Sequence, residues 1–295
     1  GNILTKQFYR QRKDFEDSCA GRDAGLTFPE GVICSTDIAY ADYGIKAHLL
    51  DIYRPEDSQE KILPVIINVH GGGLIIGNKE FNRYFCALLC KKGFLVYSIE
   101  YRLIPDCLIY DQIADVFMAM DYIKERLAAD GGDSSHVYMA GDSGGACLIT
   151  YANAIQNSTN IARAANVTPS GLRINALGLI SGMFYTSRFD KIGLFLPMYL
   201  YGRDYKKTPF AKYVNPENRE LLNSLAPVWL VTSHNDFLRR YTTDFEKALT
   251  RAEREHELVV FPKNKKLTHA FSVFEPFMPE SGAVIDMMVE YLRKF

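Results

Sequence analysis

Five consecutive residues, Gly141-Asp142-Ser143-Gly144-Gly145, carry the chemistry this sequence signals most strongly: a serine flanked by glycines, between a run that reads as a strand and one that reads as a helix. A strand-to-helix turn that tight leaves no room for side chains beside the serine, and its strain pushes Oγ outward as a nucleophile. The following helix aims its N-terminus at the same point, so the N–H of Gly144 can meet developing negative charge. A second run, His70-Gly71-Gly72-Gly73, follows another strand. Its glycines let the backbone N–H groups of Gly72 and Gly73 reach a substrate oxygen with no Cβ in the way. The two runs together describe a nucleophile beside an oxyanion hole, in which each donor is worth roughly a hundred- to thousand-fold in turnover.

Such loops must be brought to one edge by a scaffold, and the sequence pattern supplies it. Short β-branched runs at 64–69, 94–99, 136–140, 174–180, 228–232 and 258–261 alternate with longer amphipathic runs at 80–92, 111–127, 144–156, 236–255 and 282–293. In the 111–127 run, Ile113, Val116, Phe117, Met120 and Ile123 fall at helical spacing. This is the rhythm of strand, crossover helix, parallel strand. Segments 37–40 and 47–53 read as an antiparallel pair at the sheet edge, joined by a turn at 42–46. The expectation is an α/β fold with a mostly parallel eight-stranded sheet flanked by helices. Two stretches stand outside the alternation: an N-terminal cap segment, 1–35, and a long aromatic-rich connection, 183–225, expected to form a lid on a catalytic domain spanning 36–295.

The two glycine motifs make the chain resemble the hormone-sensitive-lipase-like esterases of the α/β-hydrolase fold, from about Asp37 onward. Tyr101-Arg102-Leu103-Ile104-Pro105 is similar to that family's Tyr-Arg-Leu-Ala-Pro element, and the resemblance implies that Tyr101 and Arg102 brace the oxyanion loop. It also implies an acid after the seventh strand and a histidine after the eighth. Asp236 and His269 fall on those positions, in the order Ser, Asp, His. The pattern is departed from twice: Gly144 stands where relatives usually carry Ala, and Phe237-Leu238-Arg239 follows the acid where a Pro-containing stretch is commoner. Serine attack on an ester carbonyl, with His269 as base and Asp236 orienting it, then follows. No metal or organic cofactor is expected.

Beside these readings stand plainer ones. Gly-Asp-Ser-Gly-Gly also matches the nucleophile loop of chymotrypsin-like proteases, but the flanking pattern is α/β rather than all-β, and no Pro follows Gly145. A dinucleotide loop fails because its third glycine would fall on Ile76. His70 is expected to order its own loop together with Gly71, Asp142 to stabilise the turn, His234 to end its strand, and His48, His136 and His256 to serve packing or surface. Net charge is −1 with both signs interspersed, which argues against nucleic acid as a partner. No apolar run approaches the roughly 20 residues needed to span a bilayer, and the first residues lack a signal-peptide pattern, so a cytoplasmic protein with no membrane partner is expected. Six scattered cysteines read as reduced thiols. The expected substrate is a small ester with a short acyl group, acted on by a monomer or homodimer. Amide, formamide or sugar-acetate cleavage on the same triad, and non-catalytic binding of a small molecule, are the alternatives.

Overall fold

Runs of β-branched and aromatic residues pair into one eight-stranded sheet in the computed structural model, which describes residues 2–295. The strands are β1 (Val32–Ala39), β2 (Leu49–Pro55), β3 (Leu63–Val69), β4 (Leu95–Ile99), β5 (Gly132–Asp142), β6 (Ala176–Ile180), β7 (Val228–Ser233) and β8 (His256–Phe261), in the spatial order β1-β2-β4-β3-β5-β6-β7-β8. From β4 to β8 neighbours are parallel; β2 is antiparallel to both of its neighbours. Every residue of β4, β6 and β7 is buried, as strands covered on both faces require.

The helices are α1 (Ile3–Asp23), α2 (Arg83–Lys91), α3 (Ile109–Arg126), α4 (Gly144–Gln156), α5 (Thr159–Ala165), α6 (Lys191–Phe195), α7 (Pro197–Tyr201), α8 (Arg219–Asn223), α9 (Arg239–Arg251), α10 (Phe271–Phe274) and α11 (Pro279–Leu292). Apolar residues of α3, α4 and α9 join one core with one face of the sheet. Those of α2 and α11 join a second core on the other face, where Trp229 is wholly buried. No helix is long and apolar enough to cross a membrane among the described residues.

Several boundaries differ from the sequence reading, each for a local reason. The edge strand begins at Val32, not 37, so it starts inside the 1–35 stretch; Asp37, at φ 58°, sits in a register shift within it. The expected 47–53 strand opens with a single 3-10 turn, Lys46–His48, before β2. The helix expected from Asp236 begins at Arg239, leaving the acid in a turn. The last helix begins at Pro279, where a proline at N1 loses no hydrogen bond.

Helix α1 is capped by the Asn2 side chain, which accepts from the Thr5 amide at 2.7 Å. It is fastened to the sheet's loops by two arginines. Arg12 donates from Nε to the Ile75 carbonyl (2.8 Å) and from Nη2 to the Ile104 carbonyl (2.7 Å). Arg22 donates to the Phe81 carbonyl at 2.7 Å and lies over that residue's ring. The 183–225 connection folds into α6, α7, two short 3-10 turns and α8.

Candidate active site

β5 ends at Asp142 and α4 begins at Gly144, so Ser143 alone makes the turn, at φ 50° and ψ −118°. Its amide is held by the Ile180 carbonyl at 3.0 Å. The glycines beside it are required by space: a Cβ on Gly141 would stand 2.5 Å, and one on Gly145 2.1 Å, from the Val69 carbonyl oxygen. The turn therefore fits only under the end of β3, which is where the second glycine run departs.

His269 follows β8, and its Nε2 lies 3.0 Å from Ser143 Oγ. Its Nδ1 lies 2.7 Å from Asp236 Oδ1. Asp236 sits in the turn after β7, its side chain wholly buried. Burial opposes its charge, yet the His269 ring and the Leu238 amide, which donates at 2.9 Å, hold its carboxyl below the usual carboxylate range. Thr232 Oγ1 donates to the other oxygen at 2.8 Å. With Asp236 ionised, Nδ1 keeps its proton and Nε2 is free to accept the serine's. Ala270, at φ 51°, turns the chain just after His269, and its amide is held by Ser181 Oγ at 3.0 Å.

Gly72 and Gly73 adopt φ 120° and 62°, and a Cβ on Gly72 would meet the Ile76 carbonyl oxygen at 2.1 Å. The N–H groups of Gly72, Gly73 and Gly144 donate to no backbone or side-chain acceptor among the described residues. They stand close together: a Cβ on Gly144 would lie 3.1 Å from the Gly73 carbonyl carbon. This loop is braced from beneath. Tyr101 stacks on the His70 ring, centroids 4.4 Å apart, and donates its hydroxyl to the His70 carbonyl at 2.6 Å. His70 Nδ1 lies 2.7 Å from the Gly71 carbonyl and its Nε2 2.8 Å from Glu100. Burial opposes its protonation, but the Glu100 carboxylate raises His70 above the ordinary histidine value. Asp142 accepts the Gly71 amide and the Asn82 side chain, both at 3.1 Å; burial pushes its carboxyl up.

Arg102, expected beside Tyr101 as a brace, makes no hydrogen bond to the glycine loop among the described residues. Its guanidinium pairs with the buried Asp115 at 2.9 Å, a carboxylate that His48 Nε2 also meets at 2.8 Å. Its link to the loop runs through Gln112, which donates to both the Arg102 and Leu74 carbonyls. Of the remaining histidines, His234 meets Arg239, His136 meets Asp133 and His256 meets Glu246.

Ser143, His269 and the glycine loop open into a cavity of about 800 Å³. Its walls are mostly apolar: Leu4, Phe8 and Phe15 from α1, Met183, Ile192, Phe195 and Leu196 from the long connection, and Phe237 beside the acid. The sequence marked this stretch as a cap segment, but which residues of α1 reach the cavity is set by long-range arginine bonds that no local pattern shows. Asn82, Thr232, Ser181 and Glu100 were likewise unreadable as site residues, because they join the site from other elements. No group of three or more His, Cys, Asp or Glu side chains suited to a metal occurs among the described residues.

Residues 66–272 match the family model described as alpha/beta hydrolase fold. A probable isoprenylcysteine alpha-carbonyl methylesterase of Oryza sativa subsp. japonica is 29% identical over 59% of this chain and 44% of its own length. Esterase LipQ of Mycobacterium tuberculosis is 33% identical over 40% of this chain and 28% of its own. The chain thus matches less than half the length of these curated relatives. Among solved structures, esterase B from Lactobacillus rhamnosis superposes with a TM-score of 0.91 at 22% identity, covering 99% of this chain and 94% of that one. An esterase from the archaeon Pyrobaculum calidifontis gives 0.72 at 21% identity, covering 97% and 93%. With seven-tenths of its length inside the family model and the order of its sheet matching that architecture, the chain belongs to the alpha/beta hydrolase fold family.

Proposed function

We propose that this chain is a serine hydrolase of carboxylic esters, with Ser143 as nucleophile, His269 as general base and Asp236 as its orienting acid. The observation that carries the reading is one hydrogen-bonded line, Asp236 to His269 to Ser143, ending in an apolar cavity beside N–H groups that no acceptor among the described residues uses. Ser143 Oγ attacks the ester carbonyl while Nε2 takes its proton; the carbonyl oxygen becomes an anion facing Gly72, Gly73 and Gly144. Collapse returns the proton to the leaving alcohol and leaves an acyl group on Ser143, which water releases by the same relay. His70, Gly71 and Tyr101 keep the loop in place, with Arg102 acting through Gln112.

A small ester with a short acyl group fits this arrangement, the cavity having room for an acyl chain and an apolar alcohol together. Esterase B from Lactobacillus rhamnosis inhibited by a C4-C4 tributyrin phosphonate has the same overall fold at a TM-score of 0.92, in keeping with that choice. Helix α1, within the expected 1–35 cap segment, and the 183–225 connection supply the cap over the cavity. Six unpaired cysteines suit a reducing compartment such as the cytoplasm, where the chain would act as a monomer or homodimer. The test is labelling with a fluorophosphonate together with a p-nitrophenyl ester series from acetate to decanoate. Modification confined to Ser143, and turnover lost by about a million-fold in Ser143→Ala, is the expected result. Turnover retained in Ser143→Ala refutes the assignment.

A further inference from the structure

Beside the mouth of the catalytic cavity the surface becomes apolar and basic at once. Residues 188–207 carry five cationic side chains against two acidic ones, in a chain of net charge −1. Arg188 is neutralised by Asp244 at 2.8 Å, and Asp190 is occupied as the cap of α6 and as acceptor for Tyr241. Lys191, Arg203, Lys206 and Lys207 enter no ion pair among the described residues. Leu194, Phe195 and Met198 are each more than half exposed, and Phe189 is 95% exposed. The first three line a cleft of about 400 Å³ together with Arg203, Lys206 and Lys207, Asp204 being the acid among them. Phe195 also lines the catalytic cavity, so cleft and cavity share a wall.

A single exposed apolar side chain needs no explanation, whereas several joined in one patch mark a surface that is covered in use. Here the patch shares its cleft with Arg203, Lys206 and Lys207, which enter no ion pair among the described residues. That combination complements a sheet of anionic headgroups over acyl chains: apolar side chains enter the boundary and lysines meet the charge. We propose that the 189–207 shelf seats the molecule mouth-down on an anionic lipid surface, so that esters held in that surface reach Ser143 past Phe195. This rests on the ester-hydrolase reading for its purpose, though not for its physics. It also departs from the expectation of no membrane partner, which came from the lack of a spanning segment; lying on a bilayer needs none.

Flotation with vesicles of phosphatidylcholine alone, or mixed with phosphatidylglycerol, tests the proposal at low salt. Wild type should float with the mixed vesicles and not with phosphatidylcholine alone, and high salt should release it. Each cation near such a surface multiplies partitioning about fivefold, so Lys206→Ala with Lys207→Ala should lower it about twenty-five-fold. Leu194→Ser with Met198→Ser should lower it as well, while Ile62→Ser, at an exposed residue of the loop before β3, should not. Hydrolysis of soluble p-nitrophenyl acetate is measured alongside and should be equal in all of them. No flotation with the anionic vesicles, or equal flotation by the shelf variants, overturns the docking surface. Flotation that follows the shelf without any cleavage of the soluble ester leaves docking standing and removes the hydrolase reading instead.

Discussion

Gly144→Ala is a change of one methyl group at a position where the family pattern usually has alanine, and in this chain it should be severe. The added Cβ would stand 2.8 Å from the Leu74 amide nitrogen and 3.1 Å from both the Gly73 carbonyl carbon and its Cα. Carbon contacts are comfortable only from about 3.5 Å, so the glycine loop would have to retreat by roughly half an ångström or more. It is not free to do so. The Leu74 carbonyl is held by the Ile104 amide at 2.9 Å and by Gln112 Nε2 at 3.0 Å, and Leu74 itself sits at φ 72°. Oxyanion donors work within about 2.7–3.1 Å, so a retreat of that size takes the Gly73 N–H out of range. The expected result is a fall in kcat of about a hundred-fold with KM little changed, because the donor acts mainly on the transition state. Overpacking should cost about 1–3 kcal/mol of stability besides. Steady-state kinetics on p-nitrophenyl butyrate, with thermal melting as the fold control, decides it. A kcat within about threefold of wild type and an unchanged melting temperature would show that the loop does not press on Gly144 as described.

Asp236→Asn should lower kcat about ten-thousand-fold at neutral pH by reversing the His269 tautomer. Because the Asp236 carboxyl is depressed in the folded state, its contribution to stability is present above the unfolded carboxylate range and is lost only as pH falls through the lower folded value; urea midpoints of wild type and variant should converge only there. Lys79→Met strands three carboxylates, Asp37, Asp51 and Glu80, which the lysine now meets at 2.7, 2.9 and 2.9 Å, and should cost about 3–5 kcal/mol in urea unfolding. Burial disfavours that ammonium, but its hydrogen bonds to these acids raise Lys79 above the ordinary lysine value, so its stabilisation is complete at neutral pH and fades only as pH rises through that range. Tyr101→Phe removes the donor to the His70 carbonyl and should cost about 1–1.5 kcal/mol in unfolding, with kcat falling more than KM rises.

The parts of the molecule legible in its sequence are those whose cause is local. The alternation of short apolar runs with longer amphipathic ones located all eight strands, and the serine turn was readable because sterics there demand glycines within two residues of Ser143. Boundaries were misplaced where tertiary contacts decide them. Asp236 sits ahead of its helix because its carboxylate is pulled inward by Thr232, Leu238 and His269, and a periodic pattern carries no trace of that pull. The edge strand starts early because the strand beside it, β2, offers partners back to Pro55. Arg102 illustrates the opposite error: position in a motif suggested a direct brace, while the buried Asp115 on the facing helix captured its guanidinium.

The two halves of the candidate site are consequently stabilised by different physics. Nucleophile and acid stand at the ends of the interior strands β5 and β7, and the base follows β8 at the sheet's edge; parallel ladders and an apolar core that hardly respond to pH or salt fix these strands. The glycine loop is held by charge instead. Glu100 meets His70 at one end of it and accepts the Lys79 amide, at 3.1 Å, at the other, while the Lys79 ammonium is tied to the edge strands through Asp37 and Asp51. Arg12 reaches down from α1 to the Ile75 carbonyl between those two ends. Buried charges of this kind add little net stability but exclude alternative arrangements, since breaking one partner leaves the others unpaired in a low-dielectric interior. Changes at the sheet edge far from Ser143 should therefore act on oxyanion geometry before they act on the triad, lowering kcat while the serine still reacts with a phosphonate.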